Sequence, residues 1–557
     1  MSGFGFGFGF SPLGALLNQI PEVPTDLLAI SASDVAIDLT WTSTGEVSIE
    51  RSTDNSNFVE ISTVADGVQS YTDTGLIAYT IYYYRVRAFI GENYSGYSKV
   101  TSDRTLYPAI LDLDNTEMWQ RFNDMSTITK SAANLISEWK SKKKTTHLLQ
   151  AGADNLKPLW FSDGVIFDGV ATTGNKLKTN AFTVAQPFTI WIVFKIINYV
   201  ANRVIFDGAN VATHMLQQIA PSPGVRVTSG GNSTLNSQLT IGVFSVARFY
   251  FNGGSAASRI QIDANAASNE SFGTSSLSGF TLGTCGSGAS GFESNIKVRE
   301  VLIRSGNDTA EDIAMIYAYL EKRKSNYTMQ SSGTYRMFIP PGYTANNKTI
   351  LYCHGFNEDQ HAPITDTLKM DTINMLLEQG WAVISGLNGG NNWGNQASLD
   401  DYYSMLAWAR SLYNFTDVSI FAQSMGGLCG LQLFMTDAQF DKFIGMYPVT
   451  NLAWCYNSGG TTFKNSIKTA YGIVDDSEYE AKTAGHDPML KSGALLAGRK
   501  MLIIASEGDL VVSKDSNTDA FITSFGGNAN ITPVEATGTH GDPSHFNPAR
   551  DVLFLKS

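Results

Sequence analysis

The run Val418-Ser419-Ile420-Phe421-Ala422-Gln423-Ser424-Met425-Gly426-Gly427 decides the reading of this chain. A short β-branched and apolar stretch ends in a small residue, passes through Gln-Ser-Met-Gly-Gly, and enters an apolar segment (428–435) with helical potential. This is the layout of a nucleophile elbow, in which a serine is held out of a sharp strand-to-helix turn. The turn needs small neighbours because backbone comes close on both sides of the serine. Ala422 stands where the G-x-S-x-G pattern has its first glycine. An ordinary strand-to-helix turn would read the same way, so the partners downstream matter.

From residue 333 onward the sequence alternates strands and helices. Strands are predicted over 335–343, 348–356, 381–385, 443–447, 501–505 and 530–535, with helices over 371–379 and 399–413. The strand 501–505 runs into Ser506-Glu507-Gly508-Asp509, and the strand 530–535 into Ala536-Thr537-Gly538-Thr539-His540-Gly541-Asp542. Upstream, an apolar run ends in His354-Gly355-Phe356. Serine, carboxylate and imidazole thus follow in that order, each after the carboxyl end of a strand, the edge where open α/β sheets bind ligands. On these residues 326–557 resembles the serine hydrolases of the α/β-hydrolase family. The resemblance implies Ser424 as nucleophile, His540 as base and Asp509 as the group orienting it. It also implies the backbone N–H groups of Met425 and Phe356 as oxyanion donors, with no metal or organic cofactor. Alternatives stay open: His545 for the base, and Glu507 or Asp487 for the carboxylate. Asp487 reads better as a turn or cap residue and Asp542 as a loop fastener. His147, His214 and His361 have no partners in sequence and are expected at the surface.

The preceding blocks differ in pattern. Residues 21–106 carry short alternating strands, among them Ala36-Ile37-Asp38-Leu39-Thr40-Trp41 and Tyr82-Tyr83-Tyr84-Arg85-Val86-Arg87-Ala88. They resemble a fibronectin type III β-sandwich, with Trp41 as the buried tryptophan and Tyr82 as the tyrosine-corner residue. Residues 107–325, with Trp119, Ile136-Ser137-Glu138-Trp139, Val165-Ile166-Phe167-Asp168-Gly169, Phe188-Thr189-Ile190-Trp191-Ile192-Val193-Phe194 and a closing helix over 313–320, resemble a concanavalin-like (laminin G-like) jelly roll. That family often binds glycans, for which exposed aromatics would be the means. Trp139, Trp160 and Trp191 are each more simply core residues. Residues 322–332 read as a polar linker. Residues 1–20 open on Gly-Phe repeats, a low-complexity peptide with nothing of its own to pack against.

Length and composition set the frame. A chain of 557 residues exceeds one hydrophobic core. Its net charge of −12 argues against a nucleic-acid backbone as partner, and Lys140 to Lys144 is the one basic cluster. No stretch of about eighteen apolar residues is present to cross a bilayer. The four cysteines, Cys285, Cys353, Cys429 and Cys455, lack C-x-x-C spacing, so neither a zinc site nor a disulfide framework is expected, and a reducing folding compartment is. The opening residues show no basic segment followed by an apolar core. The whole string resembles a bacteriophage tail fibre or other receptor-binding virion protein. This implies folding in the host cytoplasm, the N-terminal peptide docked on other tail proteins, and an esterase tip acting on acyl (O-acetyl) groups of a host surface glycan. Such fibres are commonly trimeric, although no heptads or β-helix repeats enforce a homotrimer here. A secreted bacterial esterase or depolymerase with accessory modules, and a catalytically silent adhesin, are the competing readings.

Overall fold

Ile37, Leu39 and Trp41 alternate with polar residues along Ala36–Thr42 and are all buried, which is what a half-buried strand requires. The computed structural model describes residues 20–557 except 132, 151, 162, 171–174, 210–213, 231, 254–255, 325–326 and 366. The expectation for the Gly-Phe peptide therefore lies outside the described residues, apart from Ile20. The chain is built mostly of β-sheet and divides into two compact units: the described residues up to Leu106 together with Leu553–Ser557, and Tyr107–Val552.

In the first unit a three-stranded sheet (Thr25–Ser31, Ala36–Thr42, Ser70–Thr74) and a five-stranded sheet centred on Glu46–Ser52 and Ile81–Ile90 enclose one core. Trp41 lies in that core, and the Tyr82 hydroxyl accepts the Ile77 N–H at 2.9 Å, five residues upstream. Both residues thus have packing roles.

The second unit starts with two antiparallel sheets. Among the described residues one has nine strands, and the other is centred on Phe188–Asn198 and Asn295–Ser305; they share a single core. Trp139 and Trp160 lie in this core, and Trp191 is equally buried. A helix, α1 (Ala310–Arg323), closes the block, its start fixed by a capping box between Thr309 and Asp312.

The rest of the unit is one eight-stranded sheet. Its strands are β1 (Thr328–Ser332), β2 (Tyr335–Ile339), β3 (Thr349–Cys353), β4 (Ala382–Gly386), β5 (Val418–Gln423), β6 (Phe440–Met446), β7 (Lys500–Ser506) and β8 (Asn530–Ala536). Their order is β1-β2-β4-β3-β5-β6-β7-β8. The first two strands join antiparallel, and all later neighbours pair parallel. β3, β4 and β5 are buried along their whole length, as parallel strands covered on both faces must be. Helices α2 (Thr367–Glu378), α3 (Gln396–Tyr413) and α4 (Gly426–Thr436) connect them.

The expected linker over 322–332 is corrected. Lys322 and Arg323 finish α1, and Thr328–Ser332 is an edge strand whose five residues are all exposed, so no apolar alternation betrays it. The sandwich and this sheet are also fastened together. Buried Glu300 accepts from Trp119 Nε1 (2.6 Å), the Tyr319 hydroxyl (2.6 Å) and Arg323 Nε (3.0 Å). Arg323 reaches on to Glu378 at the end of α2 (2.9 Å), which also accepts from Asn123 (2.7 Å). Met370 of α2 is part of the sandwich core itself.

Candidate active site

The turn after β5 is strained by design. Ser424 has φ 48°, a left-handed conformation that side chains other than glycine rarely take. Its N–H donates to the Met446 carbonyl (3.0 Å), and its carbonyl accepts from Gly427 (2.9 Å) and Val449 (2.8 Å), so β6 holds the turn in place. The glycines after the serine are required by space. A Cβ on Gly426 would lie 2.2 Å from the Cys353 carbonyl oxygen, and one on Gly427 would lie 2.5 Å from that of Val449. On Gly430, one turn into α4, it would meet Ala422 at 2.9 Å.

Three side chains meet at the carboxyl edge of the sheet. Ser424 Oγ lies 3.0 Å from His540 Nε2, and His540 Nδ1 lies 2.6 Å from Asp509 Oδ2. The other Asp509 oxygen accepts the N–H groups of Val511 and Val512, both at 2.9 Å. Burial alone would raise this carboxyl. The hydrogen bonds from His540, Val512 and Val511 outweigh it and hold the group below the ordinary carboxylate value. Asp509 therefore stays ionised and fixes which imidazole nitrogen carries the proton. Ser424 is largely covered and His540 half-buried.

Among the described residues, neither the Met425 N–H nor the Phe356 N–H has a hydrogen-bond partner. Both side chains belong to an apolar shell with Trp393 and Val512, and the Phe356 ring lies tilted 5.7 Å from Trp393 and edge-on 5.5 Å from Phe463.

The rivals take other positions. His545 is fully buried, its Nδ1 3.0 Å from the Asp542 carbonyl oxygen, and it packs edge-on against the Tyr447 ring at 4.9 Å. Glu507 is exposed and paired with Lys514 (2.7 Å), which also meets Asp519 and Glu535. Glu507 and Asp519, with Asp515, form the one acidic cluster of metal-binding spacing among the described residues, and the ammonium neutralises it in part. Asp487 and Asp542 each cap a short 3-10 turn, through the N–H groups of Met489 and Ser544.

The expectation of a surface position is corrected for His214, whereas His147 and His361 keep partial exposure. His214 is fully buried between the rings of Phe188 (5.3 Å) and Phe251 (5.2 Å), with Nε2 3.1 Å from the Ser275 carbonyl oxygen. His147 and His361 are half-buried and partnered by the Ser141 N–H and Arg336 Nε. The four cysteines are free and buried. No helix among the described residues is long and apolar enough to cross a membrane.

Two site features were not foreseen. Tyr447, at φ 37° just beyond β6, sets its ring edge-on to His540 at 4.5 Å. Glu358 accepts the Gly355 N–H at 2.7 Å beneath the Phe356 turn. No sequence signal marks either one, because both reach the site through the fold.

Known proteins add little. No family model and no curated protein matches the sequence. Matching solved structures include a truncated form of carbohydrate esterase from gut microbiota, at 15% identity over 42% of this chain and 96% of that one, TM-score 0.32. A bifunctional GH43-CE protein of Bacteroides eggerthii matches at 11% identity over 97% of this chain and 99% of its own, TM-score 0.34. The protein FN3tt matches at 22% identity over 16% of this chain and 98% of its own, TM-score 0.15. None reaches a TM-score of 0.5, so what the site can do rests on its own geometry.

Proposed function

We propose that residues 326–557 form a serine hydrolase of the α/β-hydrolase type that acts as an esterase. One observation carries this reading: the hydrogen-bonded chain from Ser424 Oγ through His540 to ionised Asp509, with the serine in a left-handed turn. His540 Nε2 takes the hydroxyl proton as Ser424 Oγ bonds to the ester carbonyl carbon. The negative oxygen that forms is met by the N–H groups of Met425 and Phe356. When the C–O bond to the alcohol breaks, His540 returns the proton to that oxygen. Water, deprotonated by the same imidazole, then releases the acid and regenerates Ser424.

The strand order β1-β2-β4-β3-β5-β6-β7-β8, with the serine after β5, the carboxylate after β7 and the imidazole after β8, supports the family assignment. On the same reading, residues 21–106 are a fibronectin type III-like spacer and residues 107–325 a concanavalin-like jelly roll. The substrate class is an acyl ester, such as an O-acetyl group, on a host surface glycan. The chain is a virion tail protein, attached to other tail proteins through its Gly-Phe peptide and made in the host cytoplasm, with a homotrimer as its assembly. The acidic net charge and the modular string of blocks support this context.

The chemistry is tested with p-nitrophenyl acetate. Ser424→Ala is expected to lower kcat by about 10⁴-fold or more while the melting temperature stays within a few degrees. Retained turnover would refute Ser424 as nucleophile. Acetate released from an acetylated surface polysaccharide, followed by NMR, tests the substrate class.

A further inference from the structure

Two residues beyond Phe356, Glu358 sits under the turn that carries the Phe356 N–H. Its Oε2 accepts the Gly355 N–H at 2.7 Å. Its Oε1 accepts from Gln423 Nε2 at 3.2 Å and from the Lys369 ammonium. Gln423 immediately precedes Ser424, and its own Oε1 is fixed by the Tyr352 hydroxyl at 2.8 Å. One carboxylate thus ties the Phe356 turn to the residue before the nucleophile. The fit is close: a Cβ on Gly355 would come within 3.3 Å of Glu358 Oε2 and 3.5 Å of Gln423 Nε2.

The ammonium that holds the carboxylate is itself held. Lys369 is 2% exposed and lies in the first turn of α2, next to Met370, which is buried in the sandwich core. At the other end of that helix, Glu378 is gripped by Arg323 and Asn123. A buried cation of this kind needs counter-charge, and Glu358, which accepts the Gly355 N–H of the Phe356 turn, is one partner that supplies it.

We propose that Glu358 is a positioning residue for the oxyanion donors, placed by Lys369 of α2, so that the spacing between the Phe356 and Met425 N–H groups is set from the helix rather than by the turn itself. This rests on the hydrolase reading above. Among the described residues no hydrogen bond joins Glu358 to Ser424; it acts through Gly355 and Gln423. Oxyanion donors act on the transition state, so their displacement lowers kcat and leaves ground-state binding alone.

The test uses the full-length chain and p-nitrophenyl acetate, with phenylboronic acid as a tetrahedral mimic and thermal melting as a control on folding. Glu358→Ala is expected to lower kcat by about 30- to 100-fold, less than outright loss of a donor, with KM within about twofold. The boronate inhibition constant is expected to rise by a similar factor. Glu358→Gln, whose amide oxygen can still accept the Gly355 N–H, should recover part of the loss. Lys369→Met should fall between Glu358→Ala and wild type. Unchanged kcat in Glu358→Ala, or a fall in kcat with an unchanged boronate constant, would overturn the proposal while the hydrolase reading stands. Absence of Ser424-dependent turnover in the wild-type chain would overturn that reading and the proposal with it.

Discussion

The two halves of the larger unit use their distinctive side chains in opposite ways. In the eight-stranded sheet, Ser424, Asp509 and His540 lie past strand ends, where no neighbouring strand competes for them, and they meet at 3.0 and 2.6 Å. In the sandwich, Trp139 and Trp160 sit within the shared core, and Trp191 lies inside a long strand with no exposed surface. A side chain inside a strand of a two-sheet sandwich is consumed by packing; one beyond the strand's end remains available for chemistry. The sandwich contributes mechanically instead. Through Met370 and the Arg323–Glu378 pair it fixes α2, and through α2 it fixes Lys369.

The sharpest way to break this contrast is to exchange the two histidines that flank Tyr447. On the proposed mechanism Ser424 loses its base in His540→Ala, and kcat is expected to fall by about 10⁴-fold or more. His545→Asn should cost less than about tenfold, since among the described residues no hydrogen bond joins His545 to Ser424 and its ring packs on Tyr447. Comparable losses in both would remove the distinction between them.

A second comparison turns on stability rather than rate. Trp160→Ala should destabilise the larger unit by about 3–5 kcal/mol, read by denaturant unfolding, because it empties a core position and orphans the Phe122 carbonyl that accepts Trp160 Nε1. Normal stability in that variant would mean that the tryptophan is not a core residue.

The smallest effect comes from His214. Burial between Phe188 and Phe251 lowers its pKa from 6.5 to about 4, only partly opposed by the Ser275 carbonyl. The unfolded chain takes up a proton at this residue below pH 6.5, whereas the folded chain does so only near pH 4. Stability is therefore complete above pH 6.5 and is lost as pH falls toward 4, by up to about 3 kcal/mol. His214→Gln should flatten the stability profile between those limits. An unchanged slope would show that the imidazole is not held neutral.

What was legible in the sequence follows the same division. Ser424, Asp509 and His540 could be read because each follows a recognisable apolar strand, and the order of strands along the chain fixes the edge at which they emerge. Trp41 and Tyr82 could be read because their spacing reflects packing inside one small sandwich. Glu358, Lys369 and Tyr447 could not, since each reaches the site from a different loop or helix and shares no spacing with the serine. His214 looked like a surface residue because its burial is imposed by aromatic neighbours far away in sequence. The edge strand Thr328–Ser332 passed for a linker because both of its faces are wet.

A fluorophosphonate probe with peptide mapping reads the reactivity of the Ser424 hydroxyl directly. One adduct per chain on Ser424, abolished by His540→Ala, is the predicted result. A folded chain that takes no label, or takes it on another serine, would contradict the account.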